Sequence, residues 1–171
     1  MKAPLIAQTF ADIVPAEKVA KISGLDYMLA ILYGEFPAPP ISQTMNYRLI
    51  DVNSGRVVFR GSPNFSTLNP MGTVHGGWYG TLLDSAMACA VSTKVEIGFF
   101  SSTLEFKINI IHPIPLGMEV DVIGETDHVG RSTGVATGHI MGVDNQKIYA
   151  TGSTTCIIMK VAETLGHQDI N

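Results

Sequence analysis

The sequence has few charged residues for its length. Of 171 residues, 15% are charged, against about 25% in an average domain, and the net charge is -4. No basic stretch follows the spacing of a phosphate backbone, so nucleic acid is not an expected partner. No apolar run approaches the roughly 20 residues that span a bilayer, and the N-terminus does not resemble a signal peptide. A cytoplasmic protein without a membrane span is therefore predicted.

Cysteine is almost absent as well. Cys89 and Cys156 lie in apolar segments far apart in the sequence, which favours reduced, buried thiols over a disulfide. No basic residue lies near Cys89 to lower its pKa, so a nucleophilic thiolate is not expected there. The histidines show no metal-ligand spacing with cysteine or carboxylates, and we predict neither a metal nor a cofactor.

Apolar residues, in contrast, are plentiful. They make up 46% of a chain that is long enough for one domain with a sizeable core. Such a composition favours burial of further surface against copies of the same chain, as in obligate oligomers. We predict an N-terminal extension with one helix at 1–41, a main domain at 42–160 and a C-terminal tail at 161–171.

Hydrophobic periodicity predicts an α+β fold with a curved antiparallel sheet of five to six strands around a long central helix, the arrangement of the hotdog fold. The central helix is expected over residues 77–93 and an extra N-terminal helix over 16–33. The strands are expected at 45–51, 56–61, 102–112, 118–128, 132–143 and 147–160. In the strand at 102–112, alternation places Leu104 and Phe106 on one face and Thr103 and Glu105 on the other.

The most informative segment is the start of the central helix. His75-Gly76-Gly77 follows a turn, and Asp84 lies eight residues beyond Gly76 in an otherwise uncharged, mostly apolar helix. A buried charge there is costly unless it is paired or used. Free backbone N–H groups at a helix start can hold a developing negative charge. These are the parts of an acyl-transfer site: an oxyanion pocket, and a carboxylate that attacks or activates water.

The segment also carries a family resemblance. Asn69, the His75-Gly76-Gly77 turn, Asp84 within Leu-Leu-Asp-Ser-Ala, and the strand Thr-Leu-Glu-Phe-Lys-Ile-Asn at 103–109 resemble the hotdog-fold acyl-CoA thioesterases, in their phenylacetate-degradation (PaaI-like) branch. The resemblance covers about residues 42–160. It implies hydrolysis of an acyl-CoA thioester, with coenzyme A as part of the substrate and no separate cofactor.

The resemblance implies a role for each matching residue. Asp84 would be the general base or the nucleophile, and the Gly76 N–H would polarise the thioester carbonyl. Asn69 would orient the carbonyl or the water, and His75 would shape the oxyanion region. Gly77 would let the substrate approach the backbone closely.

Two further assignments follow. A hydroxyl that assists the water falls on Thr103 when the strand is aligned on Pro113, and on Ser102 when it is counted from Asp84. Arg131, in a hairpin after Gly130, is placed to meet the nucleotide phosphates of coenzyme A.

Each of these residues could instead have a purely structural role. Asp84 could be bonded to neighbouring backbone or hydroxyl groups, and His75 could be an ordinary structural histidine. Asn69, before a proline, is a typical turn residue. Arg131 is about as compatible with a plain surface arginine.

The spacing within the central helix also predicts the assembly. Gly76 and Asp84 are separated by roughly 12 Å along a helix, at about 1.5 Å per residue. A reacting carbonyl needs both groups within hydrogen-bonding reach. Two antiparallel copies related by a two-fold axis can supply them, Gly76 from one chain and Asp84 from the other. A homodimer is predicted, and the resemblance implies a dimer of dimers.

Two alternatives belong to other functional classes. The first is a non-catalytic acyl-CoA-binding or regulatory hotdog module, against which the carboxylate of Asp84 argues. The second is a hotdog hydratase or dehydratase, whose Asp–His pattern near the helix start is absent here.

Overall fold

The computed structural model describes residues 5–161 and shows one sheet around one long helix. The sheet has six antiparallel strands in the order β1-β2-β4-β5-β6-β3. The strands are β1 Tyr47–Asn53, β2 Arg56–Gly61, β3 Phe99–Ile110, β4 Val120–Val129, β5 Thr133–Gly142 and β6 Ile148–Lys160. The predicted fold is confirmed. Strand β3 lies at one edge of the sheet, and no other strand within residues 5–161 pairs with its outer side.

The long helix runs along the concave face of this sheet. Helix α4 spans Gly76–Ser92 and packs mainly against β2 to β6. Its buried side carries large apolar side chains of the core, among them Trp78, Tyr79, Leu82, Leu83, Met87 and Val91. A stripe of small and polar side chains on α4 remains partly open: Thr81, Asp84, Ser85, Ala88 and Ser92. The helix is therefore wrapped on most sides but not on all.

A row of glycines lets α4 lie very close to the sheet. Gly124 of β4 is directly paired with Gly138 of β5, which is paired with Gly152 of β6. A Cβ on Gly124 would overlap the backbone carbonyl of Ala86, and one on Gly138 would lie 2.8 Å from Cγ of Met87. Because a larger side chain at Gly124 would meet the helix backbone, this glycine fixes the distance between α4 and β4, while Gly138 and Gly152 leave room for the side chain of Met87.

The N-terminal segment differs from the prediction of one helix over 16–33, which is wrong. Two helices form instead, α1 Ala16–Val19 and α2 Gly24–Leu32. Ser23 separates them, because its side-chain oxygen accepts the Asp26 N–H at 3.1 Å and caps a new helix start. A further short helix, α3 Pro40–Thr44, was not predicted and crosses the predicted boundary at 41/42. The domain limits stay a prediction, and 162–171 of the predicted tail lies outside the described residues.

Strand β3 contains a bulge that the alternation pattern did not predict. Thr103 pairs with Cys156 and Glu105 with the next residue, Thr155, so Leu104 is an extra residue in β3. The side chains therefore change faces there. Thr103 faces α4 before the bulge, and Phe106 faces α4 after it, within 3.4 Å of where a Cβ on Gly80 would lie. The prediction that Leu104 shares a face with Phe106, opposite Thr103, is wrong.

The close contact at the glycine row gives a test of the packing. Gly124→Ala should lower the free energy of unfolding by about 1–3 kcal/mol, because the new methyl group meets backbone that cannot rotate away. The matched control is Glu125→Ala, one residue along β4 and exposed, where the loss should stay below about 1 kcal/mol. Denaturant unfolding at equal protein concentration measures both, and equal losses would contradict close contact at Gly124.

Candidate functional site

The loop before α4 is held in shape by Asn69. Its Oδ1 accepts the N–H groups of Met71 at 2.9 Å and Thr73 at 3.2 Å, and its Nδ2 donates to Oγ1 of Thr73 at 2.8 Å. A bridge between Leu68 and Val74 closes the loop. These are the contacts of a structural turn residue. The predicted role of Asn69 toward a carbonyl or a water stays a prediction.

His75 is the N-terminal cap of α4. Its backbone is extended, and Nδ1 accepts the Gly77 N–H at 2.8 Å. Because Nδ1 uses its lone pair in this bond, the proton of the neutral imidazole lies on Nε2. A Cβ on Gly77 would lie 2.9 Å from Nδ1, so the second glycine leaves room for the cap. The structure thus places His75 as a group that positions the helix start.

The N–H of Gly76 is the donor left free at this helix start. Within residues 5–161 it makes no hydrogen bond, whereas the Gly77 N–H bonds to His75 and the Trp78 N–H bonds to the His75 carbonyl. The helix dipole reinforces such a donor. The nearest neighbour of a Cβ on Gly76 would be Cδ1 of Ile110, at 3.5 Å. An anionic oxygen can therefore be bound here.

Asp84 lies half-buried in the middle of the open stripe of α4. Its Oδ1 accepts a hydrogen bond from Oγ1 of Thr103 at 2.8 Å. Its Oδ2 has no partner among the described residues. One oxygen is thus held in place and the other is available to a water molecule or to a substrate.

The same contact settles which hydroxyl lies beside Asp84. Thr103 faces α4, whereas Ser102 is exposed and points to the opposite face of β3. Because the residues of a strand alternate between its faces, only one of these two neighbours can face Asp84 of the same protomer. Which hydroxyl assists the water stays a prediction. The structure brings Thr103 to the carboxylate and does not bring Ser102.

A hydroxyl pair next to Asp84 was missed by sequence reasoning. The Tyr47 hydroxyl and Oγ of Ser85 are 3.0 Å apart, and Oγ of Ser85 also donates to the Thr81 carbonyl. Burial raises the pKa of Tyr47, so its phenol is neutral at physiological pH. No feature of the sequence around Tyr47 signals this contact, which depends on the pairing of β1 with β2.

The cysteines near Asp84 are not nucleophiles. Burial, and then the negative charge of Asp84, raises the pKa of Cys89 to about 12. Burial also raises the pKa of Cys156. Both thiols are free, as predicted, and they stay protonated at neutral pH.

Arg131 lies at the other end of α4 from Gly76. It is exposed in the turn between β4 and β5 and lines a cavity of about 410 Å³ together with Lys94 and Phe99. Neither Asp84 nor Gly76 lines that cavity. The structure therefore does not bring Arg131 into contact with the other predicted site residues, and sequence reasoning missed Lys94.

Gly76 and Asp84 both lie on α4, at its first residue and near its middle. Eight residues of helix separate them by about 12 Å along the axis. One protomer therefore cannot present both groups to one carbonyl. Within residues 5–161, no three His, Cys, Asp or Glu side chains form a possible metal site, and no helix is both long and apolar enough to cross a membrane.

Comparisons with known proteins agree with this architecture. A family model described as the thioesterase superfamily matches residues 71–149, which include His75, Gly76 and Asp84. No curated protein matches the chain. Solved structures, however, resemble it over most of their length.

Three of these structures are informative. A putative thioesterase, a phenylacetic acid degradation-related protein from Ralstonia eutropha JMP134, is 27% identical with a TM-score of 0.69, over 77% of this chain and 98% of that one. The PaaI protein of the phenylacetic acid degradation operon of Escherichia coli is 20% identical with a TM-score of 0.68, over 80% and 94%. A protein from Streptococcus mutans UA159, solved bound to acetyl CoA, is 24% identical with a TM-score of 0.62, over 67% and 90%. The last two show the fold alone.

Proposed function

We propose that the chain is a hotdog-fold thioesterase that hydrolyses acyl-CoA thioesters to a free carboxylic acid and coenzyme A, because the thioesterase superfamily model matches residues 71–149 and a phenylacetic acid degradation-related protein shares the fold. Thioester hydrolysis in general is supported by the match to the family model. The finer choice of a coenzyme A thioester is supported by the Streptococcus mutans relative, which binds acetyl CoA.

One observation carries the proposal. Asp84 is a half-buried carboxylate with one oxygen fixed by Thr103 and the other without a partner among residues 5–161. A carboxylate that only stabilised the fold would be expected to use both oxygens, since acidic side chains are rarely buried without partners. The free oxygen lies on the open stripe of α4, where a substrate has access.

The reaction then needs two groups of this chain. The Gly76 N–H binds the carbonyl oxygen as it becomes an oxyanion, a contribution of about 2.7–4 kcal/mol per donor in other acyl-transfer enzymes. In one route Asp84 takes a proton from water while the water oxygen bonds to the carbonyl carbon. The C–S bond then breaks, and the thiolate takes the proton from Asp84. In the other route an Asp84 oxygen bonds to the carbonyl carbon, the C–S bond breaks and the thiolate leaves. Water then hydrolyses the resulting mixed anhydride, which releases the free acid and restores the Asp84 carboxylate.

Two protomers complete each site in this proposal. The outer side of β3 offers unpaired backbone groups and exposed apolar side chains, Leu104, Phe106 and Ile110. An edge strand of this length is a template for pairing with another chain. Antiparallel pairing of two copies brings the open stripes of both α4 helices together, with Gly76 of one protomer opposite Asp84 of its partner. A dimer of dimers stays an expectation from the family.

The role of Asp84 is tested by Asp84→Asn. The amide keeps an oxygen that can accept the Thr103 hydroxyl, so the fold and substrate binding should persist. The rate constant kcat should fall by about 100-fold or more, because the amide can neither take a proton nor attack. Release of coenzyme A from a panel of acyl-CoAs, followed with a thiol-detecting dye, measures the loss.

Two outcomes of this assay contradict the proposal. Near-normal hydrolysis by Asp84→Asn would remove Asp84 from the mechanism. Tight binding of coenzyme A by the wild-type protein with no hydrolysis of any member of the panel would favour a non-catalytic binding module.

The assisting hydroxyl is tested by comparing Thr103→Val with Ser102→Ala. Valine keeps the shape of threonine but removes the hydrogen bond to Asp84, so kcat should fall about tenfold, the effect of one lost hydrogen bond of about 1.4 kcal/mol. Ser102→Ala should leave kcat within about twofold, since Ser102 faces away from α4. A larger loss in Ser102→Ala than in Thr103→Val would refute the observed register.

A further inference from the structure

A groove runs along the open stripe of α4, and the N-terminal segment builds one of its walls. This wall begins at β1, where the Tyr47 hydroxyl lies 3.0 Å from Oγ of Ser85. One turn further along α4, Tyr27 of α2 lies near Cys89, since burial, and then the charge of a Cys89 thiolate, raises the pKa of Tyr27. Ser85 and Cys89 are four residues apart and therefore share one side of the helix. The family model begins at residue 71, so both tyrosines of this wall lie outside it.

Gly24, the first residue of α2, continues this wall to the C-terminal end of α4. Its N–H donates to the Val95 carbonyl at 3.0 Å, and a Cβ on it would overlap the carbonyl of Ser92. The Gly98 N–H donates to the Ala20 carbonyl at 3.0 Å, which fixes the same segment a second time. The start of α2 therefore lies across the end of α4, in a close approach that only glycine allows.

The other wall of the groove is β3, and the two walls meet at Ser92. Thr103 bonds to Asp84 near the middle of α4, and Oγ of Ser101 lies 2.7 Å from Oγ of Ser92. Ser92 is thus contacted by β3 at its side chain and by Gly24 at its carbonyl. The groove is closed at this end, roughly 12 Å along the helix from Asp84.

The inner surface of the groove suits an uncharged, apolar chain. Oγ of Ser85 donates its only proton to the Thr81 carbonyl at 2.8 Å, so Tyr47 is the donor in its bond with Ser85 and both hydroxyl protons are used. Cys89, whose pKa burial raises to about 12, keeps its proton, and a neutral thiol behaves as a small apolar group. Ala88 adds only a methyl group. A saturated chain can cover this surface without taking a hydrogen-bond partner from any of these groups.

We propose that this groove holds the acyl chain of the substrate and that the N-terminal segment, through Gly24 and Tyr27, limits the length of that chain. An extended chain advances about 1.3 Å per bond, so roughly 12 Å of groove holds straight saturated acyl groups of about eight to ten carbons. The proposal rests on the proposed function and names its substrate class, medium-chain acyl-CoA thioesters.

The pantetheine arm of coenzyme A fits this groove less well than the acyl chain does. Its amide groups would lose water and meet hydroxyls whose protons are already used. The arm also continues into a nucleotide, and a groove that is closed at Ser92 leaves no way out for one.

The wild-type protein should show the length limit in its kinetics. Over a series of straight-chain acyl-CoAs, kcat/KM should rise about fourfold with each added CH2, from the free energy of burying one methylene group. The rise should stop at about eight to ten carbons, where the chain reaches the closed end.

Tyr27→Ala tests the wall, with Tyr33→Ala as its matched control. Loss of the Tyr27 ring opens the wall beside Cys89, so the ratio of kcat/KM for hexadecanoyl-CoA to that for octanoyl-CoA should rise about tenfold, the gain from burying two or so further CH2 groups. Tyr33 directly follows α2 and is 72% exposed, so its loss should leave this ratio at the wild-type value.

Ala88→Leu tests the same groove in the opposite direction. The larger side chain fills the groove between Asp84 and Ser92, so the ratio of kcat/KM for octanoyl-CoA to that for acetyl-CoA should fall about tenfold. This variant decides the question alone if Tyr27→Ala does not fold. Length ratios that stay at wild-type values in the folded variants would overturn the proposal.

Binding without turnover separates this proposal from the proposed function. S-alkyl-CoA thioethers have no carbonyl to hydrolyse, and in calorimetry their affinity for the wild-type protein should rise with chain length and level off at about eight to ten carbons. This dependence with no hydrolysis of any acyl-CoA would support the groove and refute the hydrolase. Hydrolysis of acyl-CoAs together with a thioether affinity that is independent of length, or that rises steadily to sixteen carbons, would overturn the groove and leave the hydrolase standing.

Discussion

The close contact between α4 and the sheet is the constraint on which the rest of the structure depends. Gly124 lets the backbone of α4 approach β4, and Gly138 and Gly152 leave space for the Met87 side chain over β5 and β6. A helix held so closely is a rigid support, because densely packed elements do not deform gradually. The positions of Gly76 and Asp84 along α4 are therefore fixed relative to each other and to β3.

Because α4 is rigid, its two functional groups stay apart and form two separate half-sites. A free N–H lies at the first residue of α4, and a carboxylate with one free oxygen lies near its middle. The bulge at Leu104 completes the surroundings of the Asp84 half-site, because it lets Thr103 and Phe106 both face α4. Thr103 orients Asp84, while the exposed apolar side chains at the edge of β3 offer a surface for a second copy. In this view assembly and catalysis depend on the same strand.

The sequence predicted much of this and missed the rest for identifiable reasons. The apolar periodicity of α4 and the six strands was readable because local pattern determines them. The bulge at Leu104 could not be predicted from local pattern, since it depends on the pairing of β3 with β6, about 50 residues away in the sequence. Ser23 with Asp26 three residues on is a capping signal within the predicted helix, and it marks the start of α2. The cavity of Lys94 and Arg131 joins segments that only the folded sheet brings together.

Complementation between two inactive variants tests the shared site most directly. Gly76→Pro removes only the donor, because proline is favoured at the first helical residue and His75 already has the extended backbone that precedes proline. Asp84→Asn removes only the carboxylate. Unfolded and refolded together, the two should form mixed dimers with one intact site and recover roughly a quarter of wild-type activity. A mixture as inactive as its components would contradict a site built from two protomers.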